Sequence, residues 1–160
     1  MSQPREADMT DELRGRFQVM KAIAKEEGLE YGVAWMLNSV LRTKPEQDAY
    51  FSQGRNSLAV TNEYRRLAGM SPIKEAENKN KVTWTMNSKH FADDTGKSRA
   101  FDFVILKNGR TPTWDIKYDN DKDNVSDYKE LAACAAKAGL EAGAYWEKAD
   151  PPHIQLPFGI

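Results

Sequence analysis

Apolar side chains recur at three- and four-residue intervals over Leu13, Phe17, Met20 and Ala24. That spacing predicts a helix with one buried face, opened by Asp11 and stopped at Gly28. Met1 to Met9 reads as a frayed terminus. Val33, Met36, Leu37 and Val40 fall on one face of a second predicted helix. Thr43 and Glu46 have the spacing of a capping box, Pro45 fits a first turn where a missing N–H costs little, and Gly54 is a stop. A third helix therefore starts just after Arg42. Val60, Tyr64 and Leu67 predict another over 57–68, closed by Gly69 and Pro72, and the charged, aperiodic run Lys74 to Lys81 reads as a solvated loop.

The period then changes to two. Val82-Thr83-Trp84-Thr85 alternates as a strand, Asp93-Asp94-Thr95-Gly96 is a turn signal, and Ala100 to Leu106 is a second strand. Asn108-Gly109 predicts a type I′ hairpin turn, and Thr111 to Tyr118 returns as a third strand of an antiparallel meander. After the charged turn Asp119 to Asn124, Ser126 caps a helix carrying Tyr128, Leu131, Ala135 and Ala138 to a stop at Gly139. Ile154-Gln155-Leu156 reads as a short closing strand. The expected fold is α+β, a single domain over 1–160 with a small antiparallel sheet flanked by helices and a flexible segment 1–10.

Composition narrows the function more than the fold. A chain of 160 residues with 40% hydrophobic positions is large enough for a core without disulfide or metal staples. With 23 basic and 24 acidic residues it has no electrostatic footprint for nucleic acid or an anionic membrane. The lone Cys134 lies in an Ala-rich helical pattern and reads as a packing residue, not a nucleophile. Met1 to Thr10 lacks the pattern of a secretory leader and no apolar run has membrane-spanning length, so the expectation is synthesis in the cytoplasm without membrane insertion.

Both histidines, His90 and His153, fall in segments rich in polar turn residues. Together with Asp102 they match the count of a catalytic zinc site, which takes three protein ligands and leaves a fourth position for a water whose pKa falls to about 7. Asp150 stands three residues before His153 across two stiffening prolines, where a carboxylate can take and return a proton. On spacing alone a His and an Asp twelve positions apart carry little weight. A different reading is a magnesium-dependent nuclease, since Asp102 with Trp114-Asp115-Ile116-Lys117 loosely resembles an Asp…Asp-x-Lys pattern. It leaves both histidines and the Arg42 segment unexplained. Trp84, Trp114 and Trp146 are expected to fill core more than to line a groove.

Ser88-Lys89-His90 with Arg99-Ala100-Phe101-Asp102 resembles the Ser-x-His-x-x-Gly-x-Ala-x-Asp motif of the M15 zinc peptidases, the D-Ala-D-Ala carboxypeptidase and dipeptidase group. Gly139 to Trp146 and Asp150-Pro151-Pro152-His153-Ile154-Gln155-Leu156 look like the ending of its L-alanyl-D-glutamate peptidase branch, which includes many phage endolysins. Arg42-Thr43-Lys44-Pro45-Glu46-Gln47 with Tyr50 and Gln53-Gly54-Arg55 is similar to that branch's Arg-[Ser/Thr]-x-x-Glu-Gln…Gln-Gly-Arg segment. The resemblance implies a fold of the hedgehog/D-Ala-D-Ala-peptidase type and a Zn2+ cofactor held by His90, Asp102 and His153. It further implies Asp150 as general base and later acid, Arg42 on the scissile carbonyl, and Ser88 and Gln53 lining the site.

The implied substrate is bacterial peptidoglycan, cut in the stem peptide at L-Ala–D-Glu by a monomeric lysis enzyme. Such an enzyme is made in the host cytoplasm and reaches the wall after membrane permeabilisation. A D,D-carboxypeptidase or dipeptidase is the alternative within the family. A catalytically dead wall-binding module is a third reading, against which all three ligands and the carboxylate are present. His90 and Asp102 stand five residues further apart than the motif has them, and Ser98 replaces its Gly. Segment 92–97 therefore reads as an insertion, and so does 56–81, where the family usually has a shorter connection; both are expected to flank the cleft.

Overall fold

Helix α1 (Asp11–Glu26) begins where the Thr10 hydroxyl accepts the backbone N–H of Leu13, one residue before the cap expected at Asp11. It buries the predicted stripe Leu13, Phe17, Met20 and Ala24. The computed structural model describes residues 4–29, 34–83 and 88–160. Within these, the terminus expected to fray is packed. Met9 is buried and bridges Ser98, with Ser98 N–H donating to Asp8 O at 2.7 Å and Thr10 N–H to Ser98 O at 2.9 Å.

The second predicted helix is a strand, β1 (Trp35–Ser39). Its burial alternates, Trp35 and Leu37 inward and Met36 41% exposed, because successive side chains of a strand point to opposite faces of the sheet and the core packs on one of them. Helix α2 (Lys44–Ser52) carries the expected capping box from Thr43 and Glu46, and Gly54 follows it at φ 81°. Helix α3 (Leu58–Leu67) also forms, but its apolar stripe faces outward, with Leu67 62% exposed, and the inward contact is a hydrogen bond between Ser52 and Thr61 hydroxyls. The run expected to be a solvated loop contains a single helical turn, α4 (Glu75–Asn78), with Asn78 buried and donating to Asn56 O.

Strand β2 (Ala100–Lys107) and strand β3 (Thr111–Thr113) form the predicted hairpin, with Asn108 at φ 55° and Gly109 at φ 71° as a type I′ turn requires. The meander goes no further. β3 ends at Thr113 because the chain turns back on itself, Tyr118 N–H donating to Asp115 O. Val82 and Thr83 lie outside any strand, and Trp84 and Thr85 lie outside the described residues. After helix α5 (Asp127–Lys137), strands β4 (Glu141–Ala142) and β5 (His153–Gln155) complete an antiparallel sheet of order β1-β2-β5-β4, with β3 also paired to β2. The fold is thus the expected α+β domain, but its central strand is flanked by segments distant in sequence.

Phe101, Phe103 and Ile105 point from β2 into the core, where the Phe17 ring meets Phe101 and Trp35 edge-on at 4.9 and 5.9 Å and Phe103 stacks on Tyr128 at 5.3 Å. Asp102, between them, faces the other side of the sheet. Cys134 is buried in α5 and its thiol is pushed up to about 12 by burial and by Glu27, as a packing residue would be. Among the described residues no helix is long and apolar enough to cross a membrane.

Candidate metal centre

Three side chains far apart in sequence meet because of strand register. Asp102 on β2 lies directly opposite His153 on β5. On its other side Asp102 pairs with Ser39 across an irregularity in β1, which leaves the Val40 carbonyl free to receive His90. His90 sits in the loop before β2, held by Arg42 N–H on its carbonyl at 2.9 Å, by Ser88 Oγ accepting its N–H, and by Lys89 Nζ donating to Leu156 O. The expected Gly position holds Ser98, fully buried, whose Oγ lies 2.9 Å from Val40 O and 2.7 Å from Ala100 O.

His90 Nε2, His153 Nδ1 and Asp102 Oδ1 form a triangle with all three sides 3.2 Å. The outer ring nitrogens face acceptors: His90 Nδ1 is 2.7 Å from Val40 O, and His153 Nε2 is 2.8 Å from Gln155 Oε1. Those bonds place the ring protons outward, so two imidazole lone pairs and a carboxylate converge on one point. Donors bound tetrahedrally at about 2.0–2.1 Å stand about 3.3 Å apart, so this set fits zinc, and its two nitrogens disfavour calcium or magnesium.

The electrostatics follow from burial and proximity. Burial opposes the Asp102 charge, yet the two imidazoles hold its carboxyl well below the usual carboxylate range. Burial lowers His90, with Asp102 only partly offsetting it. Burial also pulls on His153, but hydrogen bonding to Asp102 carries it above its ordinary value.

The remaining predicted residues surround this triangle in a cleft of about 1000 Å³. Asp150 lies on its wall, half-buried, and is pushed up to about 6 by burial and by the charge of Asp102. Its backbone N–H donates to Gly143 O, and a Cβ on Gly143 would stand 2.4 Å from the Asp150 carbonyl oxygen, so only Gly permits this approach. Arg42 does not project freely. Nη2 donates to Asp102 Oδ2 at 3.2 Å, Nη1 to Gln47 Oε1 at 2.8 Å, and the guanidinium lies 4.7 Å over the Tyr50 ring. Ser88 and Gln53 border the cleft, Gln53 Nε2 being engaged by the carbonyls of Glu77 and Asn80.

Of the two presumed insertions, 56–81 reaches the cleft through Glu77, Asn80 and Lys81. The tip 92–97 does not. It closes on itself through Asp93 and binds the N-terminal segment, Lys97 Nζ donating to Ala7 O. Asp115 and Lys117 are exposed in the turn after β3 and take no part in the group around Asp102.

No family model matches the chain. It is 23% identical over 154 residues to the peptidoglycan L-alanyl-D-glutamate endopeptidase CwlK of Bacillus subtilis (strain 168), covering 96% of this chain and 76% of that protein. The chain is a distant relative of that peptidase.

Several residues inside or beside the quoted motifs take a part in the site that the sequence does not assign to them. Gln155 follows His153 by two along a strand, and so shares its face, a signal available only once β5 is recognised. Gln47 bridges Arg42 and Thr83, and its side chain is fully buried. Trp146, expected in the core, tilts against the His153 ring at 5.1 Å, and Trp114 is 54% exposed on the cleft wall. Trp84 lies outside the described residues. Gln155→Ala is expected to weaken zinc affinity about 10- to 100-fold by freeing the His153 ring, measured by competition with a chromogenic chelator.

Proposed function

We propose that the chain is a zinc peptidase that cleaves the stem peptide of bacterial peptidoglycan between L-Ala and D-Glu. The observation that carries this reading is the convergence of His90 Nε2, His153 Nδ1 and Asp102 Oδ1 at 3.2 Å, with both outer ring protons directed at oxygen acceptors. The distant similarity to an L-alanyl-D-glutamate endopeptidase supports the substrate. When bound, zinc supplies Lewis acidity toward a carbonyl and acidifies a water.

The protein's own groups do the rest. Asp150, ionised near neutral pH, takes the proton of the attacking water and returns it to the leaving amine. Arg42 holds the outer oxygen of Asp102 and keeps one further hydrogen on each Nη for charge developing on the scissile carbonyl oxygen. Ser88 and Gln53 act indirectly, Ser88 by fixing the His90 loop and Gln53 by holding 77–80 against α2. As a lysis enzyme the protein would be made in the host cytoplasm and meet the wall once the membrane is breached.

The test combines metal analysis with mass spectrometry of digested peptidoglycan. One zinc per chain and new termini at L-Ala and D-Glu are expected. Release of terminal D-Ala instead would assign a D,D-carboxypeptidase to the same centre, and absence of both zinc and new termini would overturn the reading.

A further inference from the structure

Between β3 and α5 the chain runs Asp119-Asn120-Asp121-Lys122-Asp123-Asn124-Val125-Ser126-Asp127-Tyr128-Lys129-Glu130. Acidic side chains stand at the first, third, fifth, ninth and twelfth of these positions, the spacing by which a twelve-residue loop of the EF-hand kind surrounds calcium. The sixth position of such loops turns sharply at a Gly. Here it is Asn124 at φ 70°, a left-handed conformation that Asn adopts more readily than most residues. The fold gathers the side chains as the spacing demands. Oxygens of Asp119, Asp121 and Asp127 lie within 4.8 Å of one another, and so do those of Asp121, Asp123 and Glu130.

Carboxylates often cluster on surfaces, so the decisive feature is buried oxygen without a donor. Asp127 is 1% exposed, and while its Oδ1 accepts Asn120 N–H at 3.2 Å, its Oδ2 is buried without a hydrogen-bond partner. Asp119 Oδ1 and Glu130 Oε2 are buried and unpartnered in the same way. Among the described residues no Lys or Arg forms an ion pair with any of the five acids. Such groups carry a desolvation cost that a proton, a donor or a cation relieves, and five carboxylates gathered without a basic partner favour the cation. Burial and the neighbouring Asp123 carboxyl accordingly push Glu130 up to about 8, and burial with the charges of Asp119 and Asp123 raises Asp127.

We propose that Asp119–Glu130 binds one calcium ion through the carboxylates of Asp119, Asp121, Asp123, Asp127 and Glu130 and the carbonyl of Val125. An all-oxygen, strongly anionic set selects a hard cation, in contrast to the nitrogen-bearing centre at His90 and His153. The site is independent of the peptidase reading. It joins two structural elements: Asp127 begins α5 and donates its N–H to Tyr118 O, so calcium fastens the segment leaving β3 to the helix that packs on the core. Trp114, at the start of that segment, lines the cleft.

The experiment uses the full chain, zinc-loaded and dialysed free of calcium, titrated with CaCl2 by calorimetry and followed by thermal unfolding. One ion per chain is expected, with Tm rising by about 5–10 °C at a hundredfold excess over Kd. MgCl2 at equal concentration should give a much smaller shift. Asp121→Asn, at an exposed side chain that folding tolerates, should weaken calcium binding at least tenfold with zinc content unchanged, and Glu130→Gln should abolish it. No heat and no shift at about 10 mM CaCl2, well above the weakest sites of this kind, would overturn the proposal. So would an equal magnesium effect, or a calcium shift that survives in Asp121→Asn combined with Glu130→Gln.

Discussion

Asp150→Ala is expected to retain zinc but to lose turnover by a factor of about 10²–10⁴, the usual contribution of a positioned acid–base group, whereas His153→Ala is expected to lose both. The two side chains are three residues apart, yet only His153 points a ring nitrogen into the 3.2 Å triangle. Asp150 has a different relation to it, a carboxyl whose burial and proximity to Asp102 push it up to about 6. A base must be ionised, so kcat/KM should fall as pH drops through this value. Zinc held at the triangle would favour the carboxylate and set the limb below about pH 6, and Asp150→Ala should erase it.

The sign for stability is opposite to that of a salt-bridged acid. The folded state holds the Asp150 proton more tightly than the unfolded chain, whose value is near 3.8, so in the metal-free protein the ionised group costs stability increasingly from about pH 4 to 6 and fully above. Asp150→Ala should therefore melt no lower than the parent at pH 7, which separates lost chemistry from lost folding. Retained activity in this variant would remove Asp150 from the base role.

Phe101→Ala is expected to cost about 3–5 kcal/mol, a large part of the 5–15 kcal/mol typical of a domain. Phe101 is fully buried, meets Phe17 edge-on at 4.9 Å, and pairs across the sheet with Ile154. Its neighbour Asp102 and the partner's neighbour His153 form the adjacent pair, so the cavity opens directly beneath two of the three presumed ligands. At roughly 2–4 °C per kcal/mol for a chain of this size, Tm should fall by about 6–20 °C. Phe158→Ala, at a side chain 96% exposed, should stay within about 0.5 kcal/mol of the parent. A comparable small change for Phe101→Ala would mean that β2 does not present this face to the core.

Local physics made much of this protein legible from its residues. The helices α1, α2 and α5 follow from stripes, caps and glycine stops within a dozen residues, and the I′ turn follows from Asn108-Gly109, because each signal is satisfied by its own neighbours. The residues of the presumed metal centre, and Arg42 beside it, were also within reach through motif order. The acidic spacing from Asp119 to Glu130 was equally visible in the chain, although it reads as no more than a charged turn until Asp127 is known to be buried.

The rest depends on partners remote in sequence. Val33 to Val40 satisfies a helical stripe and a strand alternation alike, and the pairing of Trp35–Ser39 with β2 resolves it by fixing an extended backbone that turns Trp35 and Leu37 to the core. Residue order cannot reveal that the apolar face of α3 is left to solvent, or that Met9 is drawn onto Ser98. The same holds for chemistry. Residue order alone supplies the available donors, two histidines and a set of carboxylates. Their convergence required Asp102 to lie opposite His153 in an antiparallel register, and the unpartnered oxygens of the acidic loop required α5 to dock, because proximity and desolvation are properties of the packed chain.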